Sequence, residues 1–191
     1  KIVLIDCDDP SMSKLGRWPW KRDIHAQMIE KLKSYGAKII AYDILFSYPA
    51  TENEDNDLSQ STLLAGNLIY PAGMELSTDK SADINLVPQS ASKSFINNMT
   101  AESDFFYITN ALFPFQKLIN NSLGSGHIAS HRDNDGSIRK VPLLVKNNDR
   151  LFPAFAFSAI LNYLKVSKEN VVVKPGNEIL LKNAAFPNEE I

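Results

Sequence analysis

Strand, helix and strand follow one another within the first 46 residues, and a parallel pair joined by a helix can close only as a right-handed crossover. That succession constrains the fold more than any other feature of the chain. The apolar run Ile2-Val3-Leu4-Ile5 is bounded by Asp6, Asp8, Asp9 and Pro10, as a buried strand ending in a loop would be. Asp23 then caps a helix whose apolar positions Ile24, Met28, Ile29, Leu32 and Tyr35 keep helical spacing, and Gly36 supplies the left-handed residue that ends it. Lys38 to Phe46 reads as the second strand. Asp57 and Gln60 form a capping-box variant before a helix over Leu58 to Ala65, and Gly66 stops that helix ahead of a third strand, Asn67 to Ala72.

Beyond this parallel beginning the pattern changes. Gly73 to Asp104 is rich in Ser, Asn and Thr without a sustained period and reads as a surface excursion. Pro114 to Asn121 predicts a short helix, and Gly126 to Ser130 a strand. The Asp133-Asn134-Asp135-Gly136 turn pairs that strand with Ser137 to Val145, with Pro142 at an edge or bulge. Pro153 opens a helix with Phe155, Ala156, Ala159, Ile160, Tyr163 and Leu164 inward. A hairpin of Val171 to Lys174 and Glu178 to Lys182 closes the chain around Pro175-Gly176-Asn177. The expected fold is α/β: a three-layer-like mixed sheet, with a parallel βαβαβ N-terminal half followed by antiparallel hairpins and one further helix, in a single domain over 1–191.

Composition narrows the function. Twenty basic and 22 acidic residues leave a net charge of -2, without the basic excess that nucleic-acid binding needs. The longest apolar stretch, Leu151 to Leu161, is interrupted by Pro153 and Ser158 and falls short of the roughly 20 residues of a bilayer-spanning helix. One cysteine, Cys7, excludes an internal disulfide and thiolate zinc clusters. Lys1 stands first, with no targeting segment before the apolar run, as in a segment cut from a longer chain.

Asp6, Asp8 and Asp43 fall at the carboxyl ends of the first two strands, where open α/β sheets place ligands. Three carboxylates there suit Mg²⁺ or Ca²⁺; the alternative, with no cofactor, is that Asp6 and Asp43 bond loop backbone or pair with Arg17 and Arg22. Trp18 and Trp20 around Pro19 form a stiff aromatic loop, either packed on the core or covering the strand ends as a lid. An apolar strand ending in D-x-D is also similar to the haloacid dehalogenase phosphatases, which makes a metal-dependent phosphoryl hydrolase the alternative function. Asp9 and Pro10 replace the residues that pattern wants next, and no later acidic pair follows a strand. Gly124-x-Gly126-x-x-Ala129 enters a strand rather than a helix, so it is no dinucleotide fingerprint. His25, His127 and His131 lack metal spacing and read as surface or helix residues.

The run from Ile2 to Asp8, Leu15-Gly16-Arg17-Trp18-Pro19-Trp20-x-Arg22-x-x-His25-Ala26, and Gly36-Ala37-Lys38-x-Ile40-Ala41-x-Asp43-Ile44-Leu45-Phe46 closely resemble the type-two CHASE domain, a cyclase/histidine kinase associated sensory extracellular domain. The likeness continues in Asp57-Leu58, Gly66-Asn67 and Asp133-x-Asp135-Gly136-x-Ile138-Arg139-x-Val141-Pro142-Leu143. It implies a non-catalytic periplasmic or extracellular sensor, attached to membrane helices and open to homodimer formation. The cytoplasmic output would be a nucleotide cyclase, a diguanylate cyclase or phosphodiesterase, or a histidine or serine/threonine kinase. Its signal would be a small molecule or a protein, and Asp6, Asp8, Arg17, Trp18, Trp20, Arg22 and Asp43 are the candidate ligand-binding residues.

Overall fold

A computed structural model describes residues 1–82, 86–133 and 135–186. Its helices are α1 (Asp9–Leu15), α2 (Arg22–Ser34), α3 (Glu52–Ala65), α4 (Gln116–Asn121) and α5 (Phe155–Tyr163). The strands are β1 (Ile40–Ala41), β2 (Leu68–Ser77), β3 (Tyr107–Leu112), β4 (Gly124–His127), β5 (Leu144–Asn147), β6 (Arg150–Pro153), β7 (Val171–Lys174) and β8 (Glu178–Leu181). The fold is mixed α/β. β1 and β4 run parallel to the first half of β2, β3 runs antiparallel to its second half, and β5 lies between β3 and β6. β7 and β8 form the expected closing hairpin.

Local signals explain most of these elements. Gly66 adopts φ 65° at the end of α3, the left-handed geometry expected of it. The start of α3 lies earlier than Asp57, because Thr51 is its N-cap: its Oγ1 accepts from the Glu54 N–H and donates to the Glu54 carboxylate at 2.7 Å. β4 lies close beneath α5 because of one residue. A Cβ on Gly126 would stand 2.5 Å from Phe155 Cα and 2.7 Å from Phe155 N, so no larger side chain permits this approach.

Four expectations are corrected. Ile2 to Ile5 form no strand: Ile2 is 97% and Leu4 91% exposed, and β4 takes the third parallel place in the sheet. A four-residue apolar run has strand character only where a ladder partner exists, and hydropathy does not name the partner. Second, β4 pairs with β2 rather than with residues 137–145; the Gly136 N–H does donate to the Asp133 carbonyl at 2.8 Å, but the turn closes only its own loop. Third, 73–104 is not solely a surface excursion. Gly73 to Ser77 complete β2, while Val87, Ala91, Phe95 and Ile96 are buried, few enough for the surrounding polar composition to mask them. Fourth, α5 turns Phe157, Ser158 and Leu161 inward and leaves Ile160 and Tyr163 partly exposed. That helix is apolar on nearly every side, so spacing alone does not select its buried face.

Among the described residues three apolar clusters build the interior. One joins Ile29, Leu58, Leu68, Tyr70 and Leu118 beneath α2 and α3, and a second gathers Ala72, Phe95, Ile108, Val145 and Phe152. The third packs α5 and β7 through Phe157, Leu161, Val171 and Val173.

Candidate functional site at the tryptophan loop

The loop between α1 and α2 is fixed from inside. Gly16 leaves α1 with φ 95°, and its carbonyl accepts from Trp20 Nε1 at 2.8 Å. Trp20 is buried and Trp18 is 42% exposed, with the two rings edge to face at 5.4 Å. Residues Arg22, His25, Ala26 and Ile29 form the buried face of α2 at helical spacing, which turns a guanidinium and an imidazole inward and sets the imidazole against both tryptophans.

His25 is the hub of this cluster. Its Nδ1 lies 2.8 Å from Tyr42 Oη, and its ring meets Trp18 at 5.6 Å and Phe46 at 5.1 Å. Burial, chiefly, pushes the imidazole below its ordinary pKa, so the neutral ring is the resident form. Tyr42 follows β1 and stacks on Phe46, while Tyr70 of β2 reaches Tyr42 and shares a 2.8 Å hydrogen bond with Thr62 Oγ1 of α3. Burial raises both phenol pKa values, which keeps them as neutral hydrogen-bonding groups. The loop thus lies near the carboxyl end of β1, and the buried member of the tryptophan pair is part of the core.

Arg22 does not reach Asp6 or Asp43. It donates to the Asp55 carboxylate and to the Tyr48 carbonyl, with its guanidinium 4.7 Å from the centre of the Phe115 ring. Its side chain is 10% exposed and that of Asp55 14%, so the pair is almost entirely withdrawn from water. Arg17 is exposed and has no ion pair among the described residues. Asp8 caps α1 by accepting from the Ser11 N–H at 2.9 Å, and Asp6 and Asp43 are exposed. Among the described residues no group of three or more His, Cys, Asp or Glu side chains is placed to hold a metal ion. The structure therefore gathers Trp18, Trp20 and Arg22 around His25 and leaves Arg17 on the surface.

His25, Tyr42, Phe46 and Asp55 were the residues missed. His25 lies in helix α2, as expected of a surface or helix residue, and is buried there, whereas His127 is buried in β4, against that expectation, and burial lowers its pKa to about 4. One signal for His25 was present: its place three residues after Arg22 puts both on one helix face. The second distinctive motif forms a self-contained exposed fork, in which Arg139 reaches Asp133 at 2.8 Å and Asp135 at 2.7 Å. Hydrogen bonding from Arg139, foremost, pulls the Asp135 carboxyl down to about 2.

The CHASE2 domain model matches residues 1–190, so the chain belongs to the CHASE2 family of extracellular sensory domains in signalling receptors. No curated protein and no solved structure matches it. No helix among the described residues is long and apolar enough to cross a membrane.

Proposed function

We propose that this domain is the periplasmic or extracellular input of a membrane receptor and sets the activity of a cytoplasmic nucleotide cyclase, diguanylate cyclase or phosphodiesterase, or protein kinase. The family match over residues 1–190 carries the reading. The geometry of the tryptophan loop supports it: one exposed ring, Trp18, stands beside the exposed Arg17, and the cluster beneath them reaches Tyr42 and the sheet through His25. Ligand contact falls to Trp18 and Arg17, while Trp20 and Arg22 support the loop. Binding that moves Trp18 changes packing around His25, and a ligand that favours one loop position shifts the receptor between states.

The test uses the full-length receptor reconstituted in membranes. Trp18→Ala and His25→Ala should change its second-messenger synthesis or autophosphorylation while the cytoplasmic enzyme retains its intrinsic activity. Output that ignores both substitutions, or a metal-dependent phosphomonoesterase activity lost in Asp6→Asn with the fold intact, overturns the sensor reading.

A further inference from the structure

The closing hairpin is covered along one side only. Val173 of β7 gives both its backbone groups to residues 98–100: its N–H donates to the Asn98 carbonyl at 2.9 Å, and its carbonyl accepts from the Thr100 N–H at 3.0 Å. Val173 stands opposite Ile179 in an antiparallel ladder, so Ile179 likewise turns its N–H and carbonyl away from β7. Leu181 does the same two residues on, whereas the next N–H, that of Lys182, points inward to the Asn170 carbonyl at 2.9 Å. Among the described residues no strand takes the outer edge of β8, and the outward backbone groups of Ile179 and Leu181 have no backbone partner. Such an edge is a template for another strand, and β8 has neither a proline nor a bulge to blunt it.

The residues of this edge select a second copy of the chain as its partner. Glu178-Ile179-Leu180-Leu181-Lys182 is an apolar run with opposite charges at its two ends. Identical strands pair antiparallel about a two-fold axis, and with Leu180 on that axis each Glu178 falls opposite the partner subunit's Lys182. The backbone fits the same register, because Ile179 and the partner subunit's Leu181 then form a hydrogen-bonded pair from the groups that already point outward. A register shifted by two residues sets Leu180 against a charged residue and loses both ion pairs. Beside the edge is an open groove of about 420 Å³, lined by Phe105, Leu143 and Ile179 together with Lys174 and Glu178. Ile179 and Leu181 project to one face of the hairpin, against the cluster that holds Phe157 and Val173, and Leu143 is 46% exposed. Paired residues share a face, so the partner subunit's Leu181 arrives beside Ile179 and over this groove.

We propose that β8 is a self-association edge: two copies of this domain join their β8 strands antiparallel, with Glu178 bonded to the partner subunit's Lys182 and Leu180 on the axis. The inference goes beyond the sensor reading and does not depend on it. Glu178 meets Lys174 of its own chain at 2.8 Å through Oε1, in an exposed pair that leaves Oε2 for the partner. A short edge and one groove make an interface smaller than that of a permanent dimer, so the association is weak, with a dissociation constant of about 10–500 µM.

Sedimentation equilibrium and disulfide trapping of the 191-residue chain test this, with Cys7→Ser as the background that removes its own thiol. The background chain should show a concentration-dependent monomer–dimer equilibrium. Leu180→Cys sets two thiols across the axis at a Cα separation of about 4.5 Å, within disulfide range, so mild oxidation should give a covalent dimer. Leu63→Cys, at an exposed position of α3, should stay monomeric under the same oxidation. Glu178→Lys and Lys182→Glu, each alone, place like charges opposite one another twice and should weaken association at least about tenfold. An equimolar mixture of these two variants should recover the affinity, because each then opposes the other's charge, and a loss of fold in either would not be repaired by mixing. A chain that stays monomeric up to about 1 mM, covalent dimer formed no more readily by Leu180→Cys than by Leu63→Cys, or a mixture no tighter than either charge variant alone overturns the proposal.

Discussion

Replacing Asp55 by alanine removes one partner of a nearly dry ion pair and leaves the Arg22 guanidinium beneath the tryptophan loop with the Tyr48 carbonyl and two aromatic faces. Breaking a buried pair in this way costs about 3–5 kcal/mol, and the remaining partners place the expected loss at about 3 kcal/mol. With a urea dependence of about 2–3 kcal/mol per molar, the unfolding midpoint should fall by about 1 M or more. Trp20 precedes Arg22 by two residues, so its emission in the folded state should also shift to the red. Asp43→Ala is the control, because Asp43 is exposed and an exposed change of this kind stays within about 0.5 kcal/mol. Replacing both partners, as in Arg22→Met with Asp55→Leu, should recover most of the loss, since no charge is left buried. A midpoint unchanged in Asp55→Ala, or a larger drop in Asp43→Ala, would refute the assignment of Arg22 to Asp55.

Gly126→Ala should cost about 3 kcal/mol or more by urea denaturation, because the added Cβ meets the Phe155 backbone, which cannot rotate away. An unchanged midpoint would show that α5 does not approach β4 so closely. Gly36→Val should destabilise by about 1 kcal/mol or more, since Gly36 holds φ 81° at the end of α2; a neutral result would place the helix end elsewhere. His127 and His25 both have lowered folded-state pKa values, so the unfolded chain takes up protons first as acidity rises. Their contribution is complete above the unfolded value of about 6.5 and is lost as pH falls, for His127 until about 4, at up to about 1.4 kcal/mol per pH unit for each ring. Chemical denaturation across that range should show the decline, with a shallower slope in His127→Gln; a stability flat from pH 7 to pH 5 would contradict it.

How much was legible in the sequence depended on how local each determinant is. Gly66, the Pro175-Gly176-Asn177 hairpin and the short helix ahead of Ser122 act through their own neighbours, and each appears where its residues predict it. Pairing across distance was not legible: β4 joins β2 over more than 50 residues, and nothing in Gly124 to His127 names that partner. The site divides in the same way. Trp18, Trp20 and Arg22 stand out by type and spacing, whereas Asp55 looks like one acid among several in Glu52 to Asp57 until α3 packs against α2 and selects it. Thr51 carried a readable capping signal that Asp57 and Gln60 obscured, because the apolar part of α3 begins only at Leu58.

β2 belongs to two cores at once. Leu68 and Tyr70 are set among α2 and α3, Ala72 among the residues under β3 and β5, and the pairing register slips between Glu75 and Leu76. The slip falls after Leu68, Tyr70 and Ala72 have taken their places, and a bulge of that kind bends a strand and raises its local twist. The change of direction in β2 therefore falls at Glu75, beyond the residues that join the two cores.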